Sequence, residues 1–148
     1  EDEYRSDIAM IGLLTIDGDL LLWGFCGLGM PMIVQVNGDH GVSIKEDFAV
    51  AGSGSYLAQY GLLHRQHYDV QTLDRTIYCV YEAKKYAERV SSVGKITYFV
   101  VIQPSSKAVM LTGLGTEELE KLFANYGPHG LNDPDIVLPA GSFTTVGG

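Results

Sequence analysis

The sequence predicts an α/β (α+β) fold in which antiparallel strands are accompanied by helices. Three observations support this prediction. Two apolar runs flank a glycine loop at 20–38, two helix-like segments follow one another at 55–90, and a strand-like run returns at 95–102. β-Branched and aromatic residues fill that last run, whereas the helical segments repeat apolar residues every three or four positions.

The first third of the chain predicts strands joined by tight turns. An apolar run at 8–16 is followed by Asp17-Gly18, a dipeptide typical of hairpin turns, and then by a strand at 20–25. Three glycines and a proline interrupt the apolar stretch 20–36, so it is too broken for the ~20-residue helix that spans a membrane. Two buried strands, 20–25 and 31–38, are the better interpretation.

Three helices are predicted after this region. The first covers 55–65 and the second 72–90. Thr116 is the expected N-cap of the third, with Glu117 and Glu118 in its first turn and an end at Gly127. The chain is therefore divided into one α/β domain over 1–130 and an extended C-terminal arm over 131–148.

Composition limits the classes of partner. A net charge of −8 and a pI near 4.8 argue against nucleic acid and anionic membranes as partners.

The two cysteines, Cys26 and Cys79, lie in apolar surroundings, which favours free thiols in a reducing compartment. No basic segment precedes the first apolar run, so no signal peptide is predicted. We expect a cytoplasmic protein that needs no cofactor.

The run Phe-Ala-Val-Ala-Gly-Ser-Gly-Ser at 48–55 fits a phosphate loop, an active-site support or a plain tight turn. A dinucleotide turn needs a small residue where Leu57 stands, and a P-loop needs a Lys followed by Ser or Thr, which is missing. The nucleotide interpretation is therefore weak. A binding role remains open, because the backbone amides of Gly52, Ser53 and Gly54 could form an anion nest.

A metal site is the other chemistry that the sequence suggests. His64 and His67 are three residues apart and could share a metal on one helix face. No carboxylate or cysteine motif accompanies them, so a solvated helix end is the favoured interpretation and no metal site is predicted.

Taken in order, these motifs resemble the proteasome-type N-terminal-nucleophile hydrolases. The resemblance rests on the run 48–55, the paired strands before it, the two helices after it and Gly94 ahead of the strand at 95–102. It spans residues 20–102, more than half of the chain. It implies an antiparallel β-sandwich with flanking helices whose opening strands are missing, and it implies that Ser53 supports a nucleophile.

The same resemblance implies a Thr, Ser or Cys at the N-terminus, whose own amino group acts as the base. This sequence opens with Glu1 instead. In active family members the second helix ends in Arg-Asp-x-x-Ser-Gly, and here Val90 stands for the acid and Val93 for the serine. Valine neither orients an amino group nor transfers a proton. We therefore expect no catalytic residue on this chain alone, with Ser53 as the supporting residue that carries over.

Two functions fit this pattern. The first is a non-catalytic, proteasome-like scaffold subunit that forms homo-oligomers through its two central helices, as the resemblance implies. The second is the larger part of a threonine-type peptidase or amidohydrolase. Its nucleophile segment would lie on another chain, as a complementary N-terminal fragment, or would have been removed. Neither function calls for a nucleic acid or a membrane partner.

Overall fold

The computed structural model describes residues 18–27, 29–38, 41–65, 71–102, 104, 107–127 and 136–146. They form an α+β protein with two three-stranded antiparallel sheets and three helices. The chain divides into two compact units, 1–52 and 53–148, where the sequence had predicted one domain over 1–130. The strand predicted at 8–16 lies outside the described residues. No helix in the described part of the chain has the length and apolar character to cross a membrane.

The first unit contains a meander of three strands: β1 (Leu20–Phe25), β2 (Pro31–Val36) and β3 (Val42–Lys45). Leu20 pairs with Val36, and Val36 pairs in turn with Val42. Val34 and Val36 point to the same face of β2 and are buried. The two predicted strands are confirmed, and β3 is a strand that the sequence analysis did not predict.

The glycine loop between β1 and β2 is a short hairpin connection. Cys26 N–H donates to the Met30 carbonyl at 2.9 Å, and Gly29 N–H donates to the Cys26 carbonyl at 2.8 Å. Gly29 adopts a φ of +74°, a left-handed conformation that glycine reaches without a steric penalty. This explains why the apolar stretch is interrupted by glycine at this place.

The second unit contains the helices α1 (Ser55–His64), α2 (Leu73–Ala87) and α3 (Gly113–Tyr126). Thr72 caps α2, because its hydroxyl accepts a hydrogen bond from Arg75 N–H at 3.3 Å. The predicted cap of α3 was wrong: Thr112, and not Thr116, accepts from Gly115 N–H at 3.4 Å. Either threonine could cap a helix by its residue type. Thr112, four residues before Thr116, has the extended backbone of an N-cap.

The sheet of the second unit has the order β4 (Val100–Ile102), β5 (Ala108–Leu111) and β6 (Phe143–Thr145). The strand predicted over 95–102 therefore forms ladder pairs only in its last part. The apolar run 48–51, which leads into the 52–54 glycines, has no regular structure.

The core of the second unit lies between α2, α3 and the C-terminal segment. It consists of the buried residues Ile77, Tyr78, Tyr81, Leu119, Ile136 and Leu138. Leu138 N–H also donates to the Asp74 carboxylate at 3.0 Å, which joins the segment to the start of α2. Where the sequence predicted an extended arm over 131–148, its described residues thus contribute two core side chains and the strand β6.

Candidate functional site

The residues that the family resemblance singles out lie in two turns, one where the second unit begins and one after the end of α2. The 52–54 turn comprises Gly52, Ser53 and Gly54 and leads directly into α1, whose N-cap is Gly54. Gly52 has a φ of +92°, a conformation that favours glycine. The turn therefore depends on glycine for its backbone path, and Ser53 is the position at its centre that carries a functional group.

The second turn, the 89–94 turn, follows the C-terminus of α2. Val90 N–H donates to the Ala87 carbonyl at 3.0 Å, and Val93 N–H donates to the Val90 carbonyl at 2.9 Å. Lys84 stabilises the turn from the side, because its ammonium group bonds both to Glu88, at 3.0 Å, and to the Gly94 carbonyl. Successive hydrogen bonds between residues three apart thus hold this turn together.

The structure brings these two turns into direct contact. The Ser92 hydroxyl donates a hydrogen bond to the Ser53 hydroxyl at 2.9 Å, on an exposed surface. Gly54 fits closely against the same turn, since a Cβ atom there would lie 2.8 Å from both Ala87 Cβ and Val93 Cγ2. Val93 therefore packs where the 52–54 turn has no side chain, and the hydroxyl that meets Ser53 comes from Ser92.

The chemistry of this serine pair is limited by its surroundings. In the part of the chain that the structure describes, the hydroxyls of Ser53 and Ser92 bond only to each other. A serine hydroxyl becomes a good nucleophile only when an adjacent base takes its proton. The pair can therefore orient, by hydrogen bonding, a group that is brought to it. The predicted anion nest at Gly52, Ser53 and Gly54 stays a prediction.

A buried ion pair joins the end of α1 to α2. Arg65 Nε lies 2.7 Å from Glu82 Oε2, and Arg65 Nη2 also donates to the Tyr126 carbonyl at 3.2 Å. Both side chains are almost fully buried. His64, at the end of α1, is exposed, in agreement with the predicted solvated helix end, whereas Arg65 beside it is buried. The burial of Glu82 was not predicted. The sequence did contain a signal for this burial. Tyr78, Glu82 and Tyr86 are spaced four residues apart, and residues with this spacing share a helix face.

Tyrosines surround this ion pair, and burial changes their acidity. Burial raises the pKa of Tyr78 far above its usual value, with the Glu82 carboxylate adding to the effect. Burial likewise raises the pKa of Tyr86, again with a contribution from Glu82. The Arg65 guanidinium lies 6.0 Å from the centroid of the Tyr78 ring, a cation–π distance. These tyrosines therefore remain protonated at neutral pH and act as packing residues.

α1 presents apolar side chains to the outside of the second unit. Tyr56, Tyr60 and Leu63 are 63%, 60% and 60% exposed, and their spacing of four and three puts them on one face of the helix. We call these three residues the α1 apolar face. Tyr60 stacks on His64, with ring centroids 5.9 Å apart. The inward positions are Gly61 and Leu62, so the helix-like apolar spacing in the sequence marks the outer face.

The metal and thiol predictions can be followed only in part. His67 lies outside the described residues, and His64 stacks on Tyr60. Among the residues that the structure describes, no cluster of three His, Cys, Asp or Glu side chains is arranged to hold a metal ion. Cys79 is buried and is not part of a disulfide, as predicted, whereas Cys26 is only half-buried.

Comparison with known proteins adds no relative. The chain matches no protein-family model, no curated protein and no solved structure.

Proposed function

We propose that this chain is a proteasome-like assembly subunit that associates with further copies of itself and does not catalyse a reaction alone. The observation that carries this proposal is the α1 apolar face, with Tyr56, Tyr60 and Leu63 each at least 60% exposed. Contiguous exposed apolar surface on a folded protein commonly marks an interaction site. Tyrosine is also among the residues enriched in interface centres.

The charge distribution favours a second copy as the partner. The helix α1 contains no Asp, Glu, Lys or Arg, in a chain with a net charge of −8. Two such molecules repel each other over most of their surface, and an uncharged face is where they can meet with least repulsion. A two-fold contact brings the same patch together from both copies, and an apolar patch is complementary to itself.

The finer fold belongs to the same proposal. We infer a proteasome-type sandwich with α1 and α2 as its central helix pair. The close contact between the 52–54 turn and the 89–94 turn supports this inference, since the family resemblance places supporting residues in these two turns. In that arrangement α2 would contribute to the contact through Leu73 and Val80, which are partly exposed on its surface.

The test removes the apolar face without adding charge. A Tyr56→Gln/Leu63→Gln variant of the full chain keeps Tyr60, which packs edge-on against Tyr86 within the unit. We expect the wild-type chain to form an oligomer in sedimentation velocity and the variant to have a lower mass. Val137→Gln is the matched control, because Val137 is exposed and lies outside the helices. A monomeric wild-type chain, or an unchanged mass for the variant, would contradict the proposal.

A second function is favoured by the serine pair. We propose as the alternative that this chain is the larger part of a threonine-type hydrolase completed by a segment that carries the nucleophile. Ser53 and Ser92 are exposed and already hydrogen-bonded, so an incoming amino group could exchange for one partner at small cost. Native mass spectrometry with denatured intact mass separates the two functions. A bound second polypeptide beginning with Thr, Ser or Cys supports the hydrolase, and an oligomer of this chain alone supports the scaffold.

A further inference from the structure

The strand β4 lies at the edge of its sheet and leaves one side of its backbone open among the described residues. Leu111 N–H donates to the Phe99 carbonyl at 3.1 Å, and Val101 lies opposite Val109. Backbone groups of successive strand residues point alternately to the two sides of the strand. The odd-numbered residues therefore bond to β5, and the N–H and C=O groups of Tyr98 and Val100 face the open edge.

The side chains along this edge are apolar and exposed. Ile96, Tyr98 and Val100 occupy every second position of this segment, so their side chains lie on one face, and they are 76%, 77% and 46% exposed. From Ile96 to Ile102 the sequence contains no charged residue and no proline. The edge strands of a sheet are normally protected against pairing with another strand by charged residues, prolines or bulges. An edge without these features, in a segment rich in β-branched and aromatic residues, is suited to accept a strand.

We propose that a second copy of this chain pairs with this edge in an antiparallel two-fold arrangement centred on Tyr98. In this register Tyr98 lies opposite its own counterpart, and Ile96 lies opposite Val100, so all the exposed apolar side chains meet on one face. This contact is separate from the α1 apolar face and does not rest on the proposed function.

The charges favour a second copy as the occupant. Lys95, at one end of the segment, is the charged residue nearest to the edge in the sequence, and the two-fold register places the two copies of it at opposite ends of the pair. Each chain carries a net charge of −8, but the segments that meet contain no acidic residue, so they do not repel each other. A contact formed by one short strand from each copy is small compared with the usual specific interface, so we expect a weak dimer that forms at high protein concentration.

The experiment uses the full chain with Tyr56→Gln/Leu63→Gln, so that the proposed α1 contact cannot contribute to the measured mass. Tyr98→Lys and Tyr98→Glu are each added to this background and studied by sedimentation velocity over a concentration series. Each substitution places like charges opposite one another, and we expect the dissociation constant to rise roughly tenfold or more. Mixing the two variants in equal amounts pairs Lys with Glu, and we expect the dimer to return.

Controls keep the outcomes distinct. Val137→Lys adds a lysine at a comparably exposed site, 74%, and should leave the dimer unchanged. Should either Tyr98 variant fail to fold, Ile96→Lys/Val100→Glu is expected to retain the dimer and Ile96→Lys/Val100→Lys to lose it. A monomeric parent chain in which the Tyr98 amide resists hydrogen exchange would show that the chain covers the edge itself, and the proposal would be overturned. Charged variants that still dimerise, or a mixture that does not recover, would overturn the proposed register.

Discussion

Ser92 donates a hydrogen bond to Ser53 over 2.9 Å, although the two residues are 39 positions apart in the chain. The contact joins the turn before α1 to the turn after α2, so it closes the helix pair at one end. Gly54 makes the approach possible, because any side chain there would meet Ala87 and Val93. The hydrogen bond is therefore a consequence of close backbone packing between the two turns.

We expect Gly54→Ala to destabilise the chain and to separate the two serines. The added Cβ would lie 2.8 Å from Ala87 Cβ and 3.1 Å from the Ala87 carbonyl oxygen, so the backbone has to move. Overpacking of this kind costs roughly 1–3 kcal/mol. Urea unfolding measures the loss. Ser92→Ala is the comparison, with an expected loss below about 1 kcal/mol, because its hydrogen bond is exposed. Equal losses for the two variants would show that the turns are not tightly packed.

Gly61→Ala tests the packing of α1 on α2. A Cβ atom at Gly61 would lie 2.7 Å from Tyr86 Cδ2 and 3.1 Å from Ala83 Cα. Replacing glycine by alanine in a helix interior normally gains up to about 1 kcal/mol. Here we expect a loss of roughly 1–3 kcal/mol, since the helices are forced apart.

Gly113→Ala is the matched control for Gly61→Ala. Gly113 is also helical, but nothing lies within 4 Å of an added Cβ. We expect this variant to be as stable as the wild type or slightly more stable in the same urea titration. A stabilising effect of Gly61→Ala would mean that the two helices do not approach as closely as the structure places them.

The ion pair between Arg65 and Glu82 predicts a large effect for one substitution and a small effect for two. Glu82→Gln leaves the buried Arg65 guanidinium without its carboxylate, and such a loss costs about 3–5 kcal/mol. Arg65→Met/Glu82→Leu removes both charges and should recover most of that free energy of unfolding. A double-mutant cycle in which Arg65→Met and Glu82→Leu are the single substitutions gives the coupling free energy from urea unfolding. Additive effects of these two substitutions would contradict a direct interaction.

The buried tyrosines predict a loss of stability at alkaline pH. In the unfolded chain tyrosine ionises with a pKa of about 10, whereas burial raises the pKa of Tyr78, Tyr81 and Tyr86 in the folded chain. Above about pH 10 the unfolded state therefore binds fewer protons than the folded state, and the free energy of unfolding decreases as pH rises. Below about pH 10 this contribution is fully present.

Tyr78→Phe tests that assignment. Its buried hydroxyl has no hydrogen-bond partner among the described residues, so at pH 8 the variant should be as stable as the wild type or more stable by about 1 kcal/mol. Between pH 10 and 11 it should lose less stability than the wild type. Tyr56→Phe, at an exposed tyrosine, should follow the wild-type curve. A Tyr78→Phe curve parallel to that of the wild type would show that Tyr78 does not cause the alkaline loss.

Local patterns in the sequence predicted most of the secondary structure. The helix over 72–90 was expected because its apolar residues repeat at three and four positions, and α2 occupies 73–87. The strands β1 and β2 were expected because apolar runs flank glycines. The cap of α3 was misplaced, since Thr112 and Thr116 are equivalent by residue type and differ only in backbone conformation.

The candidate site was predictable in part. The glycines of the 52–54 turn are visible in the sequence, and the family resemblance pointed to Ser53 as the candidate supporting residue in that turn. Its partner was not identified, because alignment to a family pattern pointed to Val93 and the structure presents Ser92 instead. One position along a tight turn reverses the direction of a side chain, and no local pattern in the sequence decides that direction.

The sequence alone determined where the three helices and the strands β1 and β2 form, because helix and strand periodicities and glycine turns are local properties of the chain. Only the tertiary structure decided which faces are covered. The apolar spacing of α1 looks like a core face in the sequence, yet its large side chains are exposed and Gly61 faces α2. Conversely, Glu82 is charged and fully buried, because Arg65 neutralises it from another helix end. Burial depends on contacts between residues far apart in the chain, and these contacts are set by the packing of whole elements.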